Sequence, residues 1–233
     1  MALIAGETEA RADRPAPPRP IVMLDPGHGG SNSGARGPVL VEKRLTLALA
    51  ERVAGQLRAR GVDARLTRTG DRTLTLRERA QLANQVPADL LVSIHANASP
   101  SRSKRGFETY VLTARGVDVD GRALRGDTPT PRPDVEPDIA LILDDVERGA
   151  SQWAAADLAA RIQRSLRDHR GAAGDRGVRQ DVHHVLLGAT MPAVLVEVGF
   201  LDHPLEGKEL ADPSVQSSIA DALTDAILDQ LAN

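Results

Sequence analysis

Four polar residues have the types and positions that metal-assisted hydrolysis requires. His28 comes shortly after the apolar run 21–24, and His95 directly follows the apolar run 90–94. Glu197 lies between valines inside a third apolar run. A carboxylate inside an apolar strand is costly unless it is paired, so Glu197 indicates a functional site.

Glu42 supplies a further carboxylate. It precedes Leu45 by three residues and is therefore in phase with the apolar face of a helix predicted over 42–60. A carboxylate that points inward needs a cationic partner, and a metal ion would be one. With His28 and His95 it forms a set of two imidazoles and one carboxylate, common in catalytic zinc sites that keep a position open for water. Glu197 would then be the general base that takes the proton of this water.

His28, His95 and Glu42 each have a simpler structural explanation when taken alone, whereas Glu197 is the hardest of the four to explain without a function. A histidine after a strand is often a loop residue that forms hydrogen bonds. Glu42 could simply favour the positive end of its helix. His183 and His184 lie beside another apolar run and could supply a rival ligand.

The elements that must position these residues alternate along the chain. Apolar runs and period-two patterns predict strands over 21–24, 62–66, 89–94, 106–112 and 193–198. Periodic apolar faces and capping residues predict helices over 42–60, 75–86, 139–146, 153–166 and from Pro213 onward. This alternation predicts a single α/β domain with a central, mostly parallel (mixed) sheet flanked by helices. Ligands gather outside the carboxyl ends of strands in such sheets, so the active site is expected there.

Composition excludes several classes of protein. The chain has 233 residues, a formal net charge of −3, 41% hydrophobic residues and no cysteine. The charge balance argues against a nucleic-acid partner. No apolar run approaches the roughly 18 residues of a transmembrane helix. Without cysteine, only histidines and carboxylates remain as strong metal ligands.

We expect one catalytic domain over residues 21–233, preceded by a proline-rich linker or tail over residues 1–20. The apolar stretch 2–5 is too short for the core of a signal peptide. Residues 113–138 are rich in proline and lack a periodic pattern, and long irregular segments of this kind are usually functional or disordered. We therefore expect this segment to be either functional or disordered.

Six short motifs stand in order along the chain: Asp25–Gly30, Glu42–Lys43, Leu66–Arg68, Ser93–Asn97, Arg176–Val178 and Val194–Leu201. Together they resemble those of the zinc-dependent N-acetylmuramoyl-L-alanine amidases of the type-3, AmiC-like group. The resemblance implies hydrolysis of the amide between N-acetylmuramic acid and L-Ala of peptidoglycan, with Zn²⁺ as cofactor. By position, His28, Glu42 and His95 match the zinc ligands and Glu197 matches the catalytic glutamate.

The resemblance also implies partners and regulation. Peptidoglycan is the expected substrate, a protein activator is an expected partner, and the chain is expected to be a monomer in the periplasm or cell envelope. Regulated relatives cover their zinc with an inhibitory helix, so the resemblance implies that 113–150 is a regulatory or lid insertion. Glu136 and Glu147 are the candidates in it to reach the metal.

Further residues are candidates for contacts with the substrate. Arg68 and Arg79 would meet substrate carboxylates, or would pair with acidic residues near their helices, and Asn97 follows the second histidine. Two other functions stay open beside the amidase: a catalytically silent cell-wall-binding or regulatory module, and a metallopeptidase that acts on another amide.

Overall fold

Strands and helices alternate along the chain as the hydrophobic pattern predicts. The structure is a computed structural model that describes residues 18–113, 135–181 and 185–233. The strands are β1 (Ile21–Pro26), β2 (Asp63–Leu66), β3 (Leu90–Asn97), β4 (Phe107–Leu112), β5 (Asp175–Asp181) and β6 (Ala193–Phe200). The helices are α1 (Glu42–Ala59), α2 (Leu76–Asn84), α3 (Pro137–Arg170), α4 (Glu206–Glu209) and α5 (Pro213–Leu231).

The six strands form one mixed sheet in the order β2-β1-β3-β6-β4-β5. The strands β2, β1, β3 and β6 run parallel to one another. β4 pairs with β6 in the antiparallel direction and with β5 in the parallel direction. The prediction of a single α/β domain with a mostly parallel, mixed sheet is therefore confirmed.

The two faces of this sheet have different roles. Alternate residues of each strand point towards the same side of the sheet. On one side these residues pack on α1, α3 and α5 and form the main core. The other face is apolar only at one end, where Met23, Leu91 and Leu195 pack on residues of α2 and of the segment before β6. Beyond them, towards the carboxyl ends of β1, β3 and β6, the same face carries polar side chains. We call it the site face.

Local sequence signals specify two of the helix starts. The Thr75 hydroxyl accepts a hydrogen bond from the backbone N–H of Glu78, whose carboxylate accepts one from the backbone N–H of Thr75. This capping box begins α2 as the sequence predicts. Asp212 caps α5, and Pro213 stands at its first position.

α3 corrects the prediction of two separate helices. It continues without interruption from Pro137 to Arg170, because no proline follows its first turn and the glycine at 149 costs a helix only about 1 kcal/mol. Its second half packs on the sheet through Leu158 and Ile162. In its first half, Ile139 and Val146 are 51% and 62% exposed, so these predicted apolar positions do not join the core.

Two elements were not predicted from the sequence. The residues of β5 are mostly polar, and the strand lies exposed at the edge of the sheet, so it lacks the apolar alternation of a half-buried strand. α4 is a single short turn of helix after β6.

Some predictions concern residues outside the described part of the chain. They are the tail over 1–17, most of the proline-rich segment, and the rival ligands His183 and His184. Among the described residues, no helix combines the length and the apolar character needed to cross a membrane.

Candidate active site

Two histidines and one glutamate meet at the carboxyl ends of β1 and β3. His28 Nε2 lies 3.0 Å from Glu42 Oε2, and His95 Nδ1 lies 2.9 Å from Glu42 Oε1. The two imidazole rings are 5.0 Å apart, edge to face. Ligand atoms of the three residues all lie within 4.8 Å of one another, and no other group of three or more such side chains gathers in this way in the described ranges.

Glu42 is held by backbone donors as well as by the histidines. It stands at the first position of α1 and is 4% exposed. Its Oε2 accepts a hydrogen bond from Ala35 N–H at 2.8 Å, and its Oε1 accepts one from Ala96 N–H at 3.0 Å. Burial alone would raise the pKa of Glu42, but the hydrogen bonds from His28 and His95 outweigh it and keep that pKa far below its usual value. The carboxylate is therefore ionised.

His28 sits in a left-handed turn directly after β1. Its φ is 59°, and Gly29 and Gly30 follow with φ of 126° and 57°. Glycine adopts these angles freely, whereas the histidine is strained there by roughly 1–2 kcal/mol. Burial alone would lower the pKa of His28, but the Glu42 carboxylate raises it above its ordinary value. The turn thus directs the imidazole towards Glu42. Its strained backbone has to be stabilised by contacts with other parts of the protein.

Arg68 provides part of this support. It is 1% exposed, and its guanidinium donates to the carbonyl oxygens of Pro26 and Gly27 at 3.0 and 2.8 Å. It also donates to the carbonyl of Lys43 at 2.9 Å, which ties the turn to the start of α1. The prediction that Arg68 meets substrate carboxylates is corrected, because its N–H groups already form hydrogen bonds to backbone carbonyls inside the protein.

Arg79 of α2 supports the turn from the other side. It is 4% exposed and donates to Asp25 Oδ1 and to the carbonyl of Pro26, both at 2.8 Å. Its second terminal nitrogen donates to the carbonyl of His28 itself at 2.6 Å. The substrate-binding prediction is corrected here as well, while the alternative of pairing with a nearby acid is confirmed through Asp25.

Asn32 orients the first histidine, a role that the sequence analysis missed. Its Oδ1 accepts a hydrogen bond from the backbone N–H of Gly34 at 3.1 Å and lies 2.9 Å from His28 Nδ1. Because this oxygen can only accept, Nδ1 carries the proton and the lone pair of neutral His28 is on Nε2, the atom that faces Glu42. The sequence signal that could have revealed this role is an asparagine four residues after a histidine in a glycine-rich turn.

Glycines allow the close approach of the three side chains. A Cβ atom at Gly27 would lie 2.4 Å from His95 Cε1, and one at Gly34 would lie 2.4 Å from Glu42 Oε2. The donor set, its preset tautomer at His28 and its tight cradle all fit a divalent cation such as Zn²⁺.

Glu197 lies beside this group in the sheet. In the register of β6 it is opposite His95 of β3 on one side and opposite Glu108 of β4 on the other. Its Oε2 is buried and has no hydrogen-bond partner among the described residues. Burial, and then the negative charges of Glu42 and Glu108, raise the pKa of Glu197 well above its ordinary value. A buried carboxyl group with a raised pKa is a candidate functional group.

Glu108 is a second buried carboxylate that the sequence analysis did not single out. It is 3% exposed, and both of its oxygens are saturated. Oε1 accepts from Asn97 Nδ2 and from the Tyr110 hydroxyl, both at 2.9 Å. Oε2 accepts from the Nε atoms of Arg176 and Arg179 at 2.9 and 3.2 Å. Since two of these donors come from the unpredicted β5, no local pattern revealed the cluster.

Three candidates remain as predictions. Asn97 lies at the end of β3, where its amide donates to Glu108 and its side chain is partly exposed. Glu136 precedes α3 and Glu147 lies in its first half, and both are exposed. Neither glutamate joins the group formed by His28, Glu42 and His95.

The chain is similar to known proteins over most of its length. The Amidase_3 family model, described as N-acetylmuramoyl-L-alanine amidase, matches residues 22–229. N-acetylmuramoyl-L-alanine amidase AmiA of Salmonella typhimurium is 33% identical over 218 residues, which cover 89% of this chain and 75% of that protein. The crystal structure of an N-acetylmuramoyl-L-alanine amidase from Clostridium difficile 630 aligns with a TM-score of 0.73 at 27% identity, over 92% of this chain and 98% of that one. N-acetylmuramoyl-L-alanine amidase AmiC2 of Nostoc punctiforme aligns with a TM-score of 0.70 at 29% identity, with the same two coverages.

Proposed function

Because the chain belongs to the N-acetylmuramoyl-L-alanine amidase family, and is thus a hydrolase of peptidoglycan, we propose that it works with Zn²⁺ bound by His28, Glu42 and His95 and with Glu197 as its general base. The observation that carries this proposal is the meeting of those three side chains beside a buried carboxylate oxygen that has no partner.

Zn²⁺ would bind through His28 Nε2, Glu42 and His95 Nδ1, the atoms that face one another in the structure. When bound, it supplies a Lewis acid for the scissile carbonyl and lowers the pKa of water at its open position towards about 7. Asn32 keeps the proton of neutral His28 on Nδ1, and the backbone N–H groups of Ala35 and Ala96 hold Glu42 in place.

Glu197 moves the proton during hydrolysis. Its carboxylate takes a proton from the water whose oxygen attacks the carbonyl carbon of the lactyl group. When the carbon–nitrogen bond breaks, Glu197 gives this proton to the nitrogen of L-Ala, which leaves as a free amine. Burial makes its carboxylate more basic than that of an exposed glutamate, and this favours the first of the two transfers.

Glu197→Gln tests the assigned base. The amide cannot accept a proton, so the release of stem peptides from purified peptidoglycan should fall by at least about 100-fold, while the zinc content measured by mass spectrometry stays near one ion per chain. The matched control is Glu51→Gln, an exposed position of α1, which should keep full activity.

The products decide between this proposal and its alternatives. Mass spectrometry should detect peptides that begin with L-Ala, and a chelator should abolish their release. Activity of Glu197→Gln equal to that of the wild type would contradict the assigned base. Binding to peptidoglycan without any soluble product would favour a silent binding module, and cleavage at another amide would favour a metallopeptidase.

We further propose that the enzyme acts as a monomer in the periplasm or cell envelope, where its substrate lies, with residues 21–233 as the catalytic domain. Control by a protein activator and by an inhibitory glutamate belongs to the same proposal. If Glu136 or Glu147 blocks the site, its replacement by glutamine should raise kcat/KM on peptidoglycan without activator. Unchanged activity in both variants would exclude these two residues as inhibitors.

A further inference from the structure

A cluster of charges lies next to Glu197 on the site face, and the proposed mechanism gives its arginines no role. Its centre is Glu108, which is opposite Glu197 in the register of β4 and β6. Four donors saturate the two oxygens of Glu108, so this carboxylate has no capacity left for a substrate or a metal. Its effect is to fix the groups around it.

Arg176 and Arg179 are the two charged groups that Glu108 fixes. Each uses only its Nε atom for this contact, and the terminal Nη atoms of both have no hydrogen-bond partner in the described part of the chain. The guanidinium of Arg176 also stacks on the Phe200 ring, with its central carbon 5.0 Å from the ring centre. Their side chains are 27% and 47% exposed, so both reach solvent beside the site.

The charges of this cluster do not balance. Two guanidinium groups surround one carboxylate, which leaves one positive charge in excess. The free edges of both guanidinium groups are planar pairs of N–H donors, a shape that matches a carboxylate in two-point hydrogen bonding. Arg68 and Arg79 differ in this respect, because their N–H groups already form hydrogen bonds to backbone carbonyls and to Asp25.

The distance from Glu197 limits which carboxylate this cluster would meet. β5 is two strands away from β6, which is about 10 Å at the usual strand spacing. An extended peptide covers at most about 3.5 Å per residue, and an arginine side chain reaches back over part of the gap. A carboxylate about two residues from the scissile amide would therefore lie within reach of the two arginines. In the stem peptide, the second residue is a glutamate that continues the chain through its side chain and leaves its α-carboxylate free.

We propose that Arg176 and Arg179 form a subsite for the free α-carboxylate of the second stem-peptide residue, with Glu108 as the residue that positions them. The inference rests on the proposed amidase function and adds a determinant of substrate specificity to it. The metal held by His28, Glu42 and His95 acts with Glu197 on the scissile bond. The subsite holds the stem peptide about two residues further along.

Two substrates that differ in one group test the subsite. They are N-acetylmuramoyl-L-alanyl-D-glutamate and the same compound with its α-carboxylate converted to the amide. The wild-type enzyme should prefer the acid in kcat/KM. Arg179→Gln should lower kcat/KM for the acid by about tenfold, mainly through KM, because a charge-assisted hydrogen bond is lost. The same variant should lower kcat/KM for the amide much less, because a neutral amide gains no charge-assisted hydrogen bond from the guanidinium.

Further variants separate recognition from a structural role. Arg176→Gln should show the same selective loss, and Arg179→Lys should keep part of the preference because it retains the charge without the planar pair of donors. Arg65→Gln is the matched control, since Arg65 pairs with a surface carboxylate on the opposite edge strand, β2. It should leave the preference for the acid intact.

The outcomes distinguish failure of the subsite from failure of the proposed function. A wild-type enzyme that cleaves both compounds equally well overturns the subsite and leaves the amidase function standing. Equal losses on both compounds in Arg179→Gln and Arg176→Gln show that the arginines only support the fold, which also overturns the subsite. No cleavage of either compound or of peptidoglycan by the zinc-loaded wild type overturns the proposed function, and the subsite with it.

Discussion

At the scale of single residues, the site depends on side chains that orient one another. Glu42 contacts both histidines, Asn32 sets the proton position on His28, and Glu108 aligns two arginines. Each of these side chains is restricted to one orientation by the hydrogen bonds that it already makes within the protein. Such preorganisation is what allows a metal ion or a substrate to bind without further ordering.

Tyr110 offers a direct spectroscopic measure of this order, because it is the only tyrosine of the chain. Burial, and then the hydrogen bond and negative charge of Glu108, raise the pKa of Tyr110 to about 12 from an ordinary 10.0. The folded protein therefore binds this proton more tightly than the unfolded chain. The resulting stability is present below pH 10.0 and is lost as the pH rises towards about 12.

A titration of phenolate absorbance should accordingly give a midpoint near 12 in the folded protein and near 10.0 in denaturant. Glu108→Gln should move the folded midpoint downward, though not fully to 10.0, since the effect of burial remains. A folded midpoint already at the denatured value would mean that the hydroxyl is not buried against Glu108 in solution.

At the scale of elements, the loop after β1 connects α2 to the candidate metal ligands His28, Glu42 and His95. Asp25 is fully buried and accepts hydrogen bonds from Thr67 Oγ1 at 2.6 Å, Ser93 Oγ at 2.7 Å and Arg79 Nη1 at 2.8 Å. Arg79 in turn holds the strained backbone of His28. The helix is thus joined to the candidate ligand through the Arg79 side chain.

Arg79→Met should therefore be strongly destabilising, by about 3–5 kcal/mol, because it leaves the Asp25 charge buried without its cation. Urea unfolding measures this change. Arg77→Met on the exposed side of the same helix is the control and should stay within about 0.5 kcal/mol of the wild type.

A double variant checks the cause of that loss. In Asp25→Asn with Arg79→Met the buried charge is absent, so the combined loss should be smaller than the sum of the two single losses. Additive losses would show that the two side chains do not act as a pair.

At the scale of the whole molecule, the candidate metal group joins distant parts of the chain. Its members come from the loop after β1, the start of α1 and the end of β3, and Glu197 is opposite one of them on β6. The unfolded chain has no such arrangement, so a metal ion that binds here binds the folded state alone and stabilises it by mass action.

Zinc should consequently raise the free energy of unfolding by about 2.7 kcal/mol when its free concentration is 100 times its dissociation constant. Chelation should reverse this gain in thermal unfolding experiments. His95→Ala should remove the dependence on zinc, whereas His169→Ala, at a surface ion pair with Asp225, should keep it. A zinc effect that persists in His95→Ala would place the metal elsewhere.

The sequence by itself determined the alternation of strands and helices, the capping of α2 and α5, and the four polar residues placed in or just after apolar elements. These features are local: burial of one face fixes the spacing of apolar residues, and a buried carboxylate stands out against its apolar neighbours. His28, Glu42, His95 and Glu197 were therefore identifiable before any fold was known.

Only the tertiary structure decided what surrounds them. Arg68 and Arg79 proved to be internal supports, because long-range folding places backbone carbonyls around their guanidinium groups. The Glu108 cluster exists because β4 runs antiparallel to β6 and β5 joins the outer edge of β4. Strand order and register depend on contacts between residues far apart in the chain, and no local pattern of residue types contains them.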